Sequence, residues 1–305
     1  MEKGKLKFIV ITILLFFIVS TIASSIVLLF VEKTPFGNIA LIPVKGIILV
    51  EGGQSFMGEQ IASSTEIVAF IEQADKNPSI KAILFEINSP GGSAVASKEI
   101  VDAIKRINKT SYALIREVGA SGGYWVASAS DKIIANELSI TGSIGVISSY
   151  LELSGLLNRY NITYQRLVSG KYKDMGTSFK PLEKDEEQIL MQKLNKIHEY
   201  FIRSVAENRN IPVEEIKTLA TGEFYLGLEA FENGLIDILG DKETAKELIK
   251  KDLNITEIEF AEYKTEKTLL DVLAGVFSEN SFFVGKGIGS ALKGSRIVNE
   301  IDITT

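Results

Sequence analysis

Ile80-Lys81-Ala82-Ile83-Leu84-Phe85-Glu86-Ile87-Asn88-Ser89-Pro90-Gly91-Gly92 is the stretch from which the fold can be read. The apolar run centred on Ala82-Ile83-Leu84-Phe85 has the length and composition of a buried strand, and Pro90-Gly91-Gly92 ends it. From about Ala94 to Ile107 the apolar residues Ile100, Ala103, Ile104 and Ile107 fall on one helical face. The pattern then returns: a strand at Tyr112–Arg116, a turn at Gly119-Ala120-Ser121-Gly122-Gly123, and a short helix to about Ala129. Strand–helix–strand units of this kind imply parallel pairing with right-handed crossovers, hence an α/β fold.

Upstream, Asn38–Val44 and Gly46–Val50 read as strands, with glycines 52, 53 and 58 marking a loop. Ser63-Ser64-Thr65-Glu66 is a capping box ahead of a helix carrying Ile67, Phe70, Ile71 and Ala74. Downstream, Lys132–Ala135, Ile144–Ile147 and Thr163–Val168 are expected as strands, and Leu151–Tyr160 as a helix. Ser169–Lys184 is a polar loop. A long helix over about Glu183–Asn208 stops before Pro212, and helices follow at Val213–Leu219, Gly227–Asn233 and Lys242–Lys250. Strands at Leu235–Ile238 and Thr256–Phe260 close the pattern.

At the N-terminus, Phe8–Phe30 holds 23 positions without a charge, preceded by Lys3, Lys5 and Lys7. As a helix it would rise about 34 Å, enough for a hydrocarbon core of about 30 Å. The length favours a retained anchor over a cleaved signal peptide, whose apolar region is normally shorter. The N-terminal positive charge predicts a cytoplasmic N-terminus. The expected organisation is a cytoplasmic segment 1–7, a transmembrane anchor 8–30 in contact with lipid, a stalk 31–37, a folded body 38–263 and a tail 264–305. The body is expected on the extracytoplasmic side of the cell membrane.

The chain of 305 residues contains no cysteine and one histidine, His198. That excludes thiolate nucleophiles, Cys-ligated metal clusters and multi-histidine metal sites within one chain. The net charge of −6, without a basic stripe, gives no attraction to nucleic acid. No cofactor or metal is expected.

Both glycine turns join a strand to a helix, where backbone N–H groups lack intrahelical partners and the helix dipole is positive. Such a junction suits an anion, whether phosphate or the oxyanion of a tetrahedral intermediate. GxxxxGK[ST] is absent, so a phosphate loop is not the reading. Ser121 could present its hydroxyl beside the N–H of Gly122, as a nucleophile requires. Single glycine turns are more often structural than catalytic, and His198 sits mid-helix where nothing suggests a catalytic base. A lysine can serve instead when its pKa falls from about 10.4 toward neutrality. Lys171 and Lys173 are candidates because their loop could fold over the site.

Taken together, several segments resemble signal peptide peptidase A, a Clp-like serine–lysine peptidase family. They are Ile87–Gly92, Ala120–Ala129, Asp131-Lys132-Ile133, Ile140–Val146, Ser169–Asp174, and Thr221-Gly222-Glu223 through Gly234–Asp237. They occur in family order over roughly 38–250. The resemblance implies a Clp/crotonase-like spiral of ββα units. It implies Ser121 as nucleophile, Lys173 as general base with Lys171 as runner-up, and Ser143 as the residue orienting the lysine. The N–H groups of Gly92 and Gly122 would form the oxyanion hole, with Gly91 shaping the turn. It also implies a homo-oligomer with the dyad shared between protomers, and hydrolysis of remnant signal peptides or other apolar peptides. The competing expectations are a stomatin-operon-type peptidase that cuts a partner membrane protein, an inactive anchored assembly protein and, weakest, a coenzyme A enzyme.

Overall fold

A computed structural model describes residues 3–30, 36–52 and 60–264. The strands are β1 (Ile39–Lys45), β2 (Ile47–Leu49), β3 (Ile61–Ser63), β4 (Ala82–Ser89), β5 (Thr110–Ala120), β6 (Lys132–Ala135), β7 (Ile140–Gly142), β8 (Phe224–Leu226), β9 (Ile238–Leu239) and β10 (Phe260–Glu262). The helices are α1 (Lys3–Phe30), α2 (Ser64–Lys76), α3 (Ala94–Arg106), α4 (Gly122–Ser128), α5 (Ser154–Arg159), α6 (Lys184–Arg209), α7 (Val213–Leu219), α8 (Gly227–Glu232) and α9 (Lys242–Leu253).

The main sheet runs β10-β1-β4-β5-β6-β9, all parallel. β7 joins the far end of β5 in parallel and pairs β8 antiparallel, while β2 and β3 form a separate ribbon. Alternation along the central strands sends side chains to two cores. Ile42, Val44, Ile83, Phe85, Ile87, Ala113 and Ile115 face a layer that includes α2, α3, α4 and α6. Ile39, Leu41, Leu84, Tyr112 and Leu114 face α9 through Ala245 and Ile249. Covering both faces is what lets β4 be apolar at successive positions.

Ser63 caps α2, its hydroxyl accepting from the Glu66 N–H at 3.4 Å. Ser93 caps α3 in the same way through Ala96. Glu86 is the charged residue inside the second face. Desolvation raises its pKa, but Lys45, Lys242 and Arg116 outweigh this and hold its carboxyl below the usual range.

Three expectations are corrected. Ile144–Ile147 is not a strand; the pairing occurs just before it, at β7. Thr163–Val168 forms no strand either, and Leu167 is 95% exposed. Apolar alternation makes a strand only where another edge is available to pair with it, and these segments have none here.

The third concerns the membrane: among the described residues, no helix is long and apolar enough to cross one. The expected transmembrane anchor at 8–30 is therefore overturned. So are the lipid contact through 8–30, the single-pass topology with a cytoplasmic N-terminus and extracytoplasmic body, and the membrane-anchored form of the function. Residues 31–35 of the expected stalk, the loop glycines 53 and 58, and the tail from 265 lie outside the described residues.

Candidate active site

β5 carries the chain up to Ala120, and α4 begins at Gly122. Ser121 is the single residue between them, held at φ +53°, ψ −123°. A non-glycine side chain rarely adopts such a conformation, and where it does the strain is often part of a functional site. The surroundings impose it. The Ser121 N–H donates to the Gly142 carbonyl at 2.8 Å, and the Ser121 carbonyl accepts from the Trp125 N–H at 2.9 Å. Trp125 in turn stacks on Phe201 at 4.5 Å and donates from Nε1 to Ser204 Oγ at 2.8 Å, fixing α4 against α6. The half-buried Ser121 hydroxyl makes no hydrogen bond among the described residues and is free to react.

The second glycine turn comes directly alongside. A β-carbon on Gly91 would lie 2.6 Å from the Gly122 nitrogen and 2.9 Å from the Ser121 β-carbon. With φ at +98° as well, Gly91 tolerates no other residue at this crossing. Gly92 is pressed against β2, where a β-carbon would meet the Ile48 carbonyl oxygen at 2.1 Å. The hydrogen bonds to β2 use the Gly91 carbonyl and the Ser93 N–H. The Gly92 N–H thus points away from β2, and neither it nor the Gly122 N–H has an acceptor within the described chain. Two N–H donors without acceptors beside a serine hydroxyl can receive an anion.

Ser143 follows from strand register. Ala120 pairs with Gly142, so the next residue of each strand, Ser121 and Ser143, emerges at the same end of the sheet. Ser143 is also held at positive φ, +49°. Its N–H donates to the Glu223 carbonyl at 2.9 Å and its hydroxyl to the Gly222 carbonyl at 3.3 Å. The structure therefore brings together Gly91, Gly92, Ser121, Gly122 and Ser143.

The lysines stand apart. Lys173 is exposed on a turn closed by its N–H to the Gly170 carbonyl, and its amine makes no bond among the described residues. Lys171 is committed elsewhere. Its Nζ lies 2.6 Å from Asp185, and this bond, with Tyr172 as a second partner, holds its pKa above the ordinary lysine value. A lysine kept protonated is poorly suited to accept a proton. His198 reaches the backbone of the site segment rather than the serine: its Nε2 lies 3.1 Å from the Ile144 carbonyl oxygen. Sequence reading saw no role for it, because nothing local to a helix reveals which loop carbonyl it will meet. Among the described residues no cluster of His, Asp and Glu could hold a metal ion.

Comparison with known proteins places relatives beside this chain. Peptidase family S49 matches residues 103–256, and the Clp protease family matches residues 48–139. A putative protease of Methanocaldococcus jannaschii is 30% identical over 249 residues, covering 81% of this chain and 79% of the relative. A putative signal peptide peptidase SppA of Enterococcus faecium is 34% identical over 235 residues, covering 76% and 68%. A chloroplastic serine protease SPPA of Arabidopsis thaliana is 30% identical over 275 residues, covering 88% of this chain and 39% of the relative.

Proposed function

The chain belongs to peptidase family S49, the SppA/Protease 4 family, which supports a serine-peptidase function; from that premise we propose that it cleaves peptide bonds with Ser121 as nucleophile and Lys173 as general base. The observation that carries the reading is Ser121 itself: strained, unbonded, and flanked by two N–H donors without acceptors.

In this reading Ser121 Oγ attacks the substrate carbonyl while the Lys173 amine accepts the hydroxyl proton. The carbonyl oxygen, now negative, is met by the N–H groups of Gly92 and Gly122. The C–N bond breaks as the proton passes from the lysine to the leaving amine, leaving an ester on Ser121. Water then adds to the ester with the lysine again taking a proton, and the acid is released with Ser121 restored. Ser143 orients the amine. In this reading Lys173 reaches Ser121 when its loop closes over the site. Lys173 rather than Lys171 is assigned because Asp185 occupies Lys171.

The test is covalent labelling of the full chain by a fluorophosphonate, with the modified residue located by mass spectrometry, alongside peptide hydrolysis. Ser121 should be labelled. Ser121→Ala should lower kcat by about 10³-fold or more, and Lys173→Ala by about 10²- to 10⁴-fold, both without loss of fold. Full activity in either variant overturns the assignment. An equal mixture of the two variants reports whether serine and lysine act from one copy or from two.

A further inference from the structure

We propose that Ser97 is a positioning residue that sets the spacing of the two oxyanion donors, an inference that rests on the assignment of Ser121 as nucleophile. Ser97 lies on α3, the helix that begins just after Gly91 and Gly92. It is fully buried, and its hydroxyl has no hydrogen-bond partner among the described residues. Buried hydroxyls nearly always find a partner, and a serine within a helix has one close by in the preceding turn. Ser128 takes that option, donating to the Trp125 carbonyl at 2.7 Å. In Ser97 the backbone N–H bonds to the Ser93 carbonyl, but the hydroxyl does not turn back.

The hydroxyl is directed at Gly122 instead. A β-carbon built on Gly122 would stand 2.3 Å from Ser97 Oγ, 3.3 Å from the Gly92 nitrogen and 3.4 Å from the Gly91 α-carbon. Ser97 Oγ therefore fills the space that a side chain at position 122 would need, where the two turns meet. It is a spacer of one atom between α3, which follows Gly92, and the first residue of α4, which supplies the other donor. Its effect is geometric: a hydroxyl is large enough to hold the two N–H groups apart at one separation, and a methyl group leaves a gap into which α4 can relax. Oxyanion stabilisation depends steeply on that separation.

The experiment compares wild type with Ser97→Ala and Ser97→Cys in the full chain. The readouts are hydrolysis of a fluorogenic peptide, inhibition by the corresponding peptide aldehyde, and thermal midpoint. The aldehyde adds to the nucleophile and places its oxygen in the hole. Ser97→Ala should lower kcat about tenfold with KM unchanged, and weaken aldehyde inhibition by a similar factor. Its thermal midpoint should hold or rise, because an unpartnered buried oxygen has been removed. Ser97→Cys, whose sulfur refills the gap, should recover much of kcat. Unchanged kcat and inhibition in Ser97→Ala overturn the proposal, as does a loss of kcat accompanied by a falling midpoint, which would mark a packing defect. If wild-type Ser121 resists fluorophosphonate labelling, the nucleophile assignment fails and this inference falls with it. Labelling of wild type together with a neutral Ser97→Ala removes the inference alone.

Discussion

The turn that carries Ser121 and the loop that carries Lys173 are held in different ways. Around Ser121, β5, β7, two glycine turns and α4 interlock, and Gly91, Gly122 and Ala120 are buried. The segment from 145 to 182 contains one short helix, α5, with no buried residue, and leaves Ile147, Leu151, Tyr160 and Leu167 exposed. Ion pairs such as Arg166–Asp174 and Lys171–Asp185 tie it together, with the Leu153 N–H donating to the Ser178 carbonyl. The proposed nucleophile and oxyanion donors are thus preorganised, while the proposed base sits on a segment with no buried residue. In the proposed mechanism these are compatible requirements, since oxyanion donors must be fixed and the base need only arrive with the substrate.

The comparison breaks most readily at its rigid side. Gly91→Ala forces a β-carbon to 2.6 Å from the Gly122 nitrogen at a φ of +98°. It should lower hydrolysis by at least about 100-fold and destabilise the fold by about 2 kcal/mol or more, measured by kinetics and chemical denaturation. Below the turn, Glu86→Gln should cost about 2 kcal/mol near pH 7, because it leaves Lys45, Arg116 and Lys242 without their shared carboxylate. The folded pKa of Glu86 is depressed, so its contribution is present above the ordinary glutamate range and fades as pH falls through the folded value. Urea titrations should therefore show the gap between variant and wild type narrowing below about pH 4. On the exposed side effects should be small. Leu167→Ser should shift stability by less than about 0.5 kcal/mol, and Lys171→Ala should leave the thermal midpoint unchanged and keep most activity. A large loss of kcat in Lys171→Ala would exchange the roles of the two lysines.

Much of the rigid side was legible beforehand. The Pro90-Gly91-Gly92 and Ser121-Gly122-Gly123 turns announce themselves as glycines between an apolar strand and a helix, and the structure places them against each other. The strand β7 was missed because Ile140-Thr141-Gly142 is three residues long and ends in glycine, leaving no alternation to detect. The expected strands at Ile144–Ile147 and Thr163–Val168 failed for the opposite reason. Their composition suits a sheet, but composition cannot say whether an edge is waiting. Ser97 gave no sequence signal, since a serine on the second turn of a helix looks the same whether its hydroxyl turns back to its own backbone or forward to a neighbour.

The sequence by itself determined the α/β class, the parallel pairing of the central strands, and the two glycine turns, because these follow from local periodicity and from the steric freedom of glycine. It also excluded thiol and multi-histidine chemistry by simple absence. Tertiary structure decided the rest. The register between β5 and β7 set Ser143 beside Ser121, the crossing of two turns left two N–H groups unpaired, and Asp185 engaged Lys171. Each of these depends on distances between residues far apart in the chain, and such distances are fixed only when both cores have packed.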